Sequence, residues 1–503
     1  MYGCLTDCEH LTNFSLFRRT WIALTVSLPT ALIGYLFLCL SLATFALTLQ
    51  KRVTATSDAP HRTTGIALAR NLSAARYQTP HQLVSSFITL VNEDGAGTWP
   101  PRANHSSWPL ALRPYKHVYL EMVQYLSVET PSLNDNVNRE RCNSFRSLMQ
   151  KLLTERINNS HVKEIMQQME SGNLDILPHD QINGFYCVVA VCRHAYRWAT
   201  IPVVKVSQAE KIIEFPPELE IPWPFLQCHF GITAESGNNT ANVLLNFDEN
   251  GERVYKINVG SKSDLIRTSE EVFFRMFRDI EVMAYPIYEE MIDAVVSFEN
   301  SDKDSCLVHL ENINKLLRNL LKIFYENIRE SRISRSVWLS YVQGFQGWGL
   351  GKISNGKFVK YDGVSGNHVL FFQALDAFLG LPPYLSEENH ICYIPVHQRE
   401  LCIAFRDHSF WTKVDNNQEF EAIRDQMVKI IKHMKRFRTA HRTRVMPYLK
   451  QPAPERLIMT AGKGVLKGPT TKEALRELDA MMVGRLRQTS GLITNETSAP
   501  VKL

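Results

Sequence analysis

The sequence lacks the short motifs that mark common hydrolase, nucleotide and zinc-peptidase sites. It contains no G-x-S-x-G, no P-loop and no H-E-x-x-H, which excludes sites of those types. Gly462, Lys463 and Gly464 come nearest to a phosphate loop, but they lack the P-loop spacing and a preceding strand. We interpret them as an ordinary flexible loop.

The sequence also lacks a large excess of either positive or negative charge. The formal net charge is +5 over 503 residues, which is too small to indicate a nucleic-acid partner. Lysine and arginine are dispersed apart from a cluster in residues 432–444. We interpret this cluster as the solvated face of a helix, with a docking patch as the alternative.

The cysteines show no paired pattern. None of the ten forms a C-x-x-C pair or a zinc spacing, which excludes the common zinc and dithiol motifs. The seven from Cys142 onward are scattered, mostly beside apolar residues, and indicate buried free thiols, as in cytosolic proteins. Several N-x-S/T triplets are typical instead of secreted chains. They include those at Asn71, Asn104, Asn158, Asn238 and Asn495.

Residues 20–50 contain no charged side chain. Within them, residues 21–49 are long and apolar enough to cross a bilayer as a helix, and longer than the apolar core of a signal peptide. Basic residues after this run outweigh Arg18 and Arg19 before it. The positive-inside rule therefore predicts a single-pass membrane protein whose C-terminal part is cytosolic.

The length and the apolar spacing predict an all-α protein with two helical domains. Strand signals are weak, and the glycine-rich stretch 344–366 is predicted to be a loop. Nothing in the sequence specifies an oligomeric state. The predicted order is an N-terminal segment (1–20), one transmembrane helix (21–49), a linker and irregular segment (50–114), a small helical domain (115–255), a large helical domain (265–488) and a disordered tail (489–503).

One predicted helix, over residues 418–448, carries a histidine within its apolar stripe. His441 shares the apolar face, whereas His433 falls among lysine and arginine residues. A neutral imidazole in an apolar wall suits an axial haem ligand. A core histidine bonded to a backbone carbonyl is the alternative, which periodicity leaves open. The stripe consists of Phe420, Ile423, Met427, Ile430, Met434, Phe437, His441 and Val445.

Short segments along the chain follow the pattern of one known family. Residues 438–441 form an Arg-x-x-His motif, and residues 372–376 are Phe-Gln-Ala-Leu-Asp. Residues 393–401 are Tyr-Ile-Pro-Val-His-Gln-Arg-Glu-Leu. Further segments in matching order are 194–198, 221–223, 243–247, 273–281 and 363–368. Over roughly residues 115–450, the chain resembles the indoleamine 2,3-dioxygenase family, as a divergent, membrane-anchored member.

The resemblance implies a haem-dioxygenase-like fold that uses haem b and O2 to open the indole ring of a substrate such as L-tryptophan. The family's product is N-formylkynurenine, in the kynurenine pathway. By resemblance His441 is the iron ligand. Arg438 is expected to meet a haem propionate or a carboxylate, and Asp376 is the carboxylate that the resemblance offers. An ordinary surface pair is the alternative, and no side-chain base is assigned.

The resemblance also implies two further parts of the haem site. Small residues at Ser365 and Gly366 would let the backbone approach the haem plane, with a plain turn as the alternative. Phe273 and Phe274 would cover the distal side, with simple core packing as the alternative.

The substrate side departs from the family. There, an arginine shortly before a Ser-Gly-Trp turn holds the substrate carboxylate, and residues 334–345 place none at that position. Arg335 would need a shifted register, Phe277 replaces a small serine, and residues 461–465 only faintly match the Gly-Thr-Gly-Gly-Thr loop. The second hypothesis is therefore a haem protein that has lost tryptophan chemistry and acts as a sensor, carrier or enzyme on another substrate. The third is a membrane-tethered helical interaction protein without cofactor.

Overall fold

The computed structural model describes residues 81–126, 132–201, 205–361, 363–415, 417–449 and 471–493. These residues are predominantly helical, which confirms the predicted all-α class. They belong to one compact unit, and its division into a small and a large domain stays a prediction. The predicted transmembrane helix lies outside the described residues. Within the described ranges, no helix combines the length and apolar character that a membrane crossing requires.

The first half of the described chain packs around one buried helix, α5. Every residue from Ile182 to Trp198 in α5 is buried, because the helix is apolar on nearly all of its faces. Two 3-10 turns, Val123–Tyr125 and Leu244–Asn246, complete this half. Its helices are α1 (Gln82–Thr89), α2 (Arg113–Met122), α3 (Asp135–Arg156), α4 (Asn159–Glu170), α5 (His179–Trp198), α6 (Lys205–Ala209), α7 (Pro217–Glu220), α8 (Trp223–Phe230) and α9 (Asn239–Asn242).

Three long helices, α10, α11 and α17, dominate the second half of the described chain. The Ser263 side chain accepts from the backbone N–H of Ile266 and begins α10, and Asp302 begins α11 in the same way through Ser305. The helix predicted at 418–448 is confirmed to within a few residues as α17. The helices are α10 (Asp264–Glu299), α11 (Lys303–Asn327), α12 (Arg335–Val337), α13 (Leu370–Phe378), α14 (Glu387–Tyr393), α15 (Val396–Asp407), α16 (Trp411–Val414), α17 (Glu421–Leu449) and α18 (Thr471–Gly491).

Helix α17 carries the predicted stripe and packs on α11 and α18. α13 packs on α10 and α15, so these helices share one apolar core. Phe420 is only partly buried, but the next residues of the stripe lie in this core. They are Ile423, Met427, Ile430, Met434 and Phe437. The 3.6-residue spacing therefore points the following stripe position, His441, toward the same interior.

A short β-hairpin corrects the predicted loop over residues 344–366. Strand β1 (Gly351–Ser354) pairs antiparallel with β2 (Lys357–Lys360), with Ser354 opposite Lys357. Asn355 and Gly356 form the turn with φ values of 50° and 73°. An Asn-Gly pair tolerates two positive φ angles, so this local signal favoured a hairpin.

Part of the predicted linker is helical and buried. α1 and the π-helix Leu90–Asp94 occupy residues 82–94, with Leu83, Phe87 and Leu90 fully or almost fully buried. α1 packs on α15, so the linker prediction is wrong for this stretch. The apolar residues of this stretch recur every three to four positions, a spacing that indicates a helix.

The predicted tail also begins too early. Thr489 lies in α18 and is fully buried, and residues 494–503 lie outside the described part of the chain.

The seven described cysteines are free thiols, as predicted. Five are buried, whereas Cys228 is exposed and Cys392 is half-buried. Asn238, the first residue of one N-x-S/T triplet, is fully buried, and its side chain caps α9. It is therefore not accessible as a glycan acceptor in the folded protein.

Candidate functional site

An apolar cavity of about 220 Å³ is lined by α10, α11, α17 and α18. Aromatic and aliphatic side chains dominate its wall, among them Phe273, Phe324, Trp338, Phe437 and Met482. Packed protein interiors leave few voids larger than a water molecule. The volume lies below the roughly 300–1,000 Å³ of most ligand pockets, but an apolar lining with a few polar groups is typical of a ligand site.

Two groups of elements form this wall. The part contributed by α11, α17 and α18 is the α17 wall. The part contributed by α10, by Trp338 and Gln343 and by Gly366 and Asn367 is the α10 wall. Phe372 of α13 and Tyr384 complete the lining.

His441 lies half-buried in the α17 wall. Its ring centroid is 5.4 Å from that of Phe324 and 5.9 Å from that of Phe437. Among the described residues, neither ring nitrogen of His441 has a hydrogen-bond partner. His441 therefore differs from a core histidine whose ring is bonded to a backbone carbonyl. Burial, with a smaller contribution from Arg438, lowers the pKa of His441 to about 4. The imidazole is therefore neutral at pH 7 and retains a lone pair for a ligand.

Arg438 belongs to a buried network instead of a surface pair. Its Nη2 donates to both carboxylate oxygens of Asp376, each at 2.5 Å, and its Nη1 donates to Thr489. Asp376 is 2% exposed and also accepts from Arg485. Both arginines line the cavity, whereas Asp376 lies behind them. Two guanidinium groups share one carboxylate, so one positive charge in excess faces the cavity and favours an anionic group there.

The two predicted distal aromatics have different positions. Phe273 lines the cavity, and Trp338 packs edge-on against it with 5.9 Å between ring centroids. Phe274 packs over the guanidinium of Arg253, 4.7 Å from the ring centroid, and does not line the cavity. Phe277, where the family has a small serine, also lies in the α10 wall. The α10 wall is therefore aromatic, and Phe277 takes up more of the cavity than the small serine of the family pattern would.

The two predicted small residues also differ. Gly366 lines the cavity, and a Cβ there would approach ring carbons of Phe277 to 3.2 Å. Ser365 is buried, and its hydroxyl accepts from the backbone N–H of Asn367. Ser365 therefore shapes the turn while Gly366 brings backbone to the cavity.

The described α10 wall carries no cation. The arginines that line the cavity, Arg438 and Arg485, belong to α17 and α18. Arg335 pairs with Glu330 at 3.2 Å and lies over the ring of Tyr448, outside the cavity lining. Among the described residues, the α10 wall therefore provides no arginine to hold a substrate carboxylate.

Two cavity-lining residues were not predicted from the sequence: Gln343 in the α10 wall and Arg485 in the α17 wall. Gln343 is 4% exposed and lines the cavity, and its Nε2 has no hydrogen-bond partner in the described part of the chain. Arg485 shares one face of α18 with Leu478, Met481 and Met482. That spacing of three and four residues was a usable signal.

A cluster outside the cavity is not a metal centre. His81 Nε2 and His408 Nδ1 each contact one oxygen of the Glu299 carboxylate, at 3.0 and 2.7 Å. His81 Nδ1 also accepts from the backbone N–H of Leu83, so its single proton lies on Nε2 and leaves no lone pair there for a metal. Within the described residues, no other set of three or more histidine, cysteine or acidic side chains brings its ligand atoms close enough together to hold a metal ion.

The family model for indoleamine 2,3-dioxygenase matches residues 125–474, which is more than half of the chain. No curated protein shows significant similarity to the sequence. The matched range contains His441, Arg438 and Asp376, and it ends within the first turn of α18. The chain belongs to the indoleamine 2,3-dioxygenase family.

Proposed function

We propose that this protein binds haem b in the cavity, with His441 as the axial ligand, and oxidises an indole with O2. The observation that carries the proposal is the neutral, unpartnered imidazole of His441 within an apolar wall of the described structure. Haem b is the cofactor of the family, and O2 and tryptophan-like indoles are its substrates.

The residues around the cavity fit both chemical parts of haem. The aromatic and aliphatic wall suits the flat apolar macrocycle. Arg438 and Arg485 supply two guanidinium groups for the two propionates. Asp376 fixes both guanidinium groups from behind, so their orientation does not depend on the ligand.

The chemistry divides between cofactor and protein. When bound, haem supplies the iron that binds and activates O2. The described wall contains no carboxylate and no second histidine, so it supplies no side-chain base. The protein's own contribution is to exclude water, to hold an indole against the aromatic α10 wall and to keep His441 neutral.

A haem protein that does not use tryptophan is the second candidate, and the cation-free α10 wall favours it. An amino-acid carboxylate placed against this wall would lose its water without gaining a charged partner, which is costly in an apolar site. The family arginine that meets this need has no counterpart in the described α10 wall.

We expect the haem-loaded, reduced full-length protein to form N-formylkynurenine from L-tryptophan slowly. Its kcat/KM should be at least about tenfold below that for a neutral indole such as 3-methylindole, because a hydrogen bond to a charged group contributes about 1.5–3 kcal/mol. Product formation under O2 is followed by absorbance and mass spectrometry. Turnover of L-tryptophan faster than that of 3-methylindole contradicts this prediction. An intact haem spectrum without turnover of either compound supports a sensor or carrier.

We also propose that residues 21–49 anchor the chain in a membrane with the described part in the cytosol. The support is the uncharged run 20–50 and the basic residues that follow it.

A further inference from the structure

We propose that Gln343 makes the cavity select an indole bearing a neutral carbonyl group over one bearing a carboxylate. This inference rests on the proposed haem site. It starts from Gln343, a residue that is 4% exposed and lines the cavity, and whose carboxamide Nε2 is buried without a hydrogen-bond partner among the described residues. A buried donor left unpaired carries a desolvation penalty. A ligand that supplies an acceptor removes that penalty on binding.

The segment that carries Gln343 is held firmly in place. Gln343 follows the π-helix Trp338–Val342 directly and begins the 3-10 helix Gln343–Gln346. Trp198 of α5 donates to the carbonyl of Phe345 at 3.1 Å, and Asn258 donates to the carbonyl of Tyr341 at 2.8 Å. These anchors lie on both sides of Gln343 in sequence, so its position is fixed before a ligand arrives.

The charges around the cavity favour a neutral ligand. The cations in the described wall are Arg438 and Arg485, and Asp376 already takes one of their two charges. The two propionates of haem would use what remains. A carboxylate on the substrate would then add negative charge to a site with none to offset it, which is costly in an apolar surrounding.

A neutral carbonyl avoids this cost. The carboxamide of Gln343 offers two N–H donors and one acceptor oxygen without a formal charge. It can pair with the carbonyl oxygen and the N–H of a ligand amide. The chemical class that fits is therefore an indole with a short side chain ending in an amide or ketone.

Two ligands of nearly the same shape test this selection. Indole-3-propionamide and indole-3-propionate differ in the charge of the terminal group. We expect the haem-loaded full-length protein to bind the amide at least about tenfold more tightly in calorimetry, since one hydrogen bond to a buried donor and one avoided buried charge both act in its favour. A preference for the propionate, or equal affinities, would overturn the proposal.

Variants locate the selection at Gln343. Gln343→Leu removes the hydrogen bonds and should abolish most of the amide preference, and Gln343→Arg should reverse it in favour of the propionate. Gln346→Leu is the matched control, because Gln346 is 6% exposed on the same turn but does not line this cavity. It should retain the amide preference. An unchanged preference in Gln343→Leu would contradict the proposal.

The haem spectrum distinguishes a failure of the proposed haem site from a failure of the proposed role of Gln343. Absence of a haem-specific absorption band overturns the proposed function. A normal band with no amide preference overturns only the role of Gln343. If Gln343→Leu keeps the preference but changes the CO stretching frequency of the ferrous protein, the carboxamide acts on the iron ligand, and the selection proposal fails.

Discussion

Replacing His441 by alanine is expected to lower haem affinity by more than about 100-fold, because loss of supporting groups around a metal ligand alone costs about 10–100-fold. The full-length variant should lose the Soret band of imidazole-ligated haem. His441 is the only histidine in the described cavity wall, so no neighbour there can replace it. Added imidazole should enter the space left by the side chain and restore the band.

His433→Ala is the matched control for this variant. His433 lies on the same helix but outside the cavity lining. Its replacement should leave the Soret band unchanged. A wild-type spectrum in His441→Ala would remove His441 as the ligand. A lost band that imidazole fails to restore, together with a changed far-UV circular dichroism spectrum, would assign His441 a role in folding instead.

Replacing Asp376 by alanine is expected to lower the free energy of unfolding by about 3–5 kcal/mol, the usual cost of removing one partner from a buried ion pair. Asp376 is 2% exposed between Arg438 and Arg485. Without the carboxylate, two buried guanidinium groups are left facing each other. Urea denaturation of the haem-free protein measures the change, and the loss should persist at high salt because buried charges are poorly screened.

Asp479→Ala provides the comparison for Asp376→Ala. Asp479 pairs with Arg442 at 2.6 Å, but these side chains are 30% and 42% exposed. An exposed pair of this kind contributes little to stability and is weakened by salt. Equal losses in the two variants would show that Asp376 is not the centre of a buried network.

The helices were predictable where burial follows the 3.6-residue period. The stripe on α17 has buried residues from Ile423 to Phe437 at the expected steps, and α10 begins at a serine cap. The stretch 82–94 has the same three- to four-residue apolar spacing, so its helix was predictable on the same ground. The hairpin at 351–360 depended on one Asn-Gly turn within a glycine-rich stretch, a local signal that a search for long apolar patterns does not detect.

The contact between Arg438 and Asp376 was predictable by a different route. No periodicity pairs Arg438 with Asp376, which are far apart in sequence, and only the resemblance brought them together. Gln343 was not predictable because the π-helix and 3-10 helix around it break the regular period. Arg485 lies beyond the segments that carry the resemblance, in a helix that begins close to the end of the family match.

Helix α18 contributes Leu478, Met481, Met482 and Arg485 to the cavity wall. A ligand that requires this helix in place also holds it there, by about 2.7 kcal/mol when the free ligand is at 100 times its dissociation constant. The proposed haem site would therefore couple cofactor supply to the docking of α18 by mass action. A cell short of haem would contain this protein with its C-terminal helix less firmly held, and thus more open to proteases. The turnover of the protein would then follow haem supply.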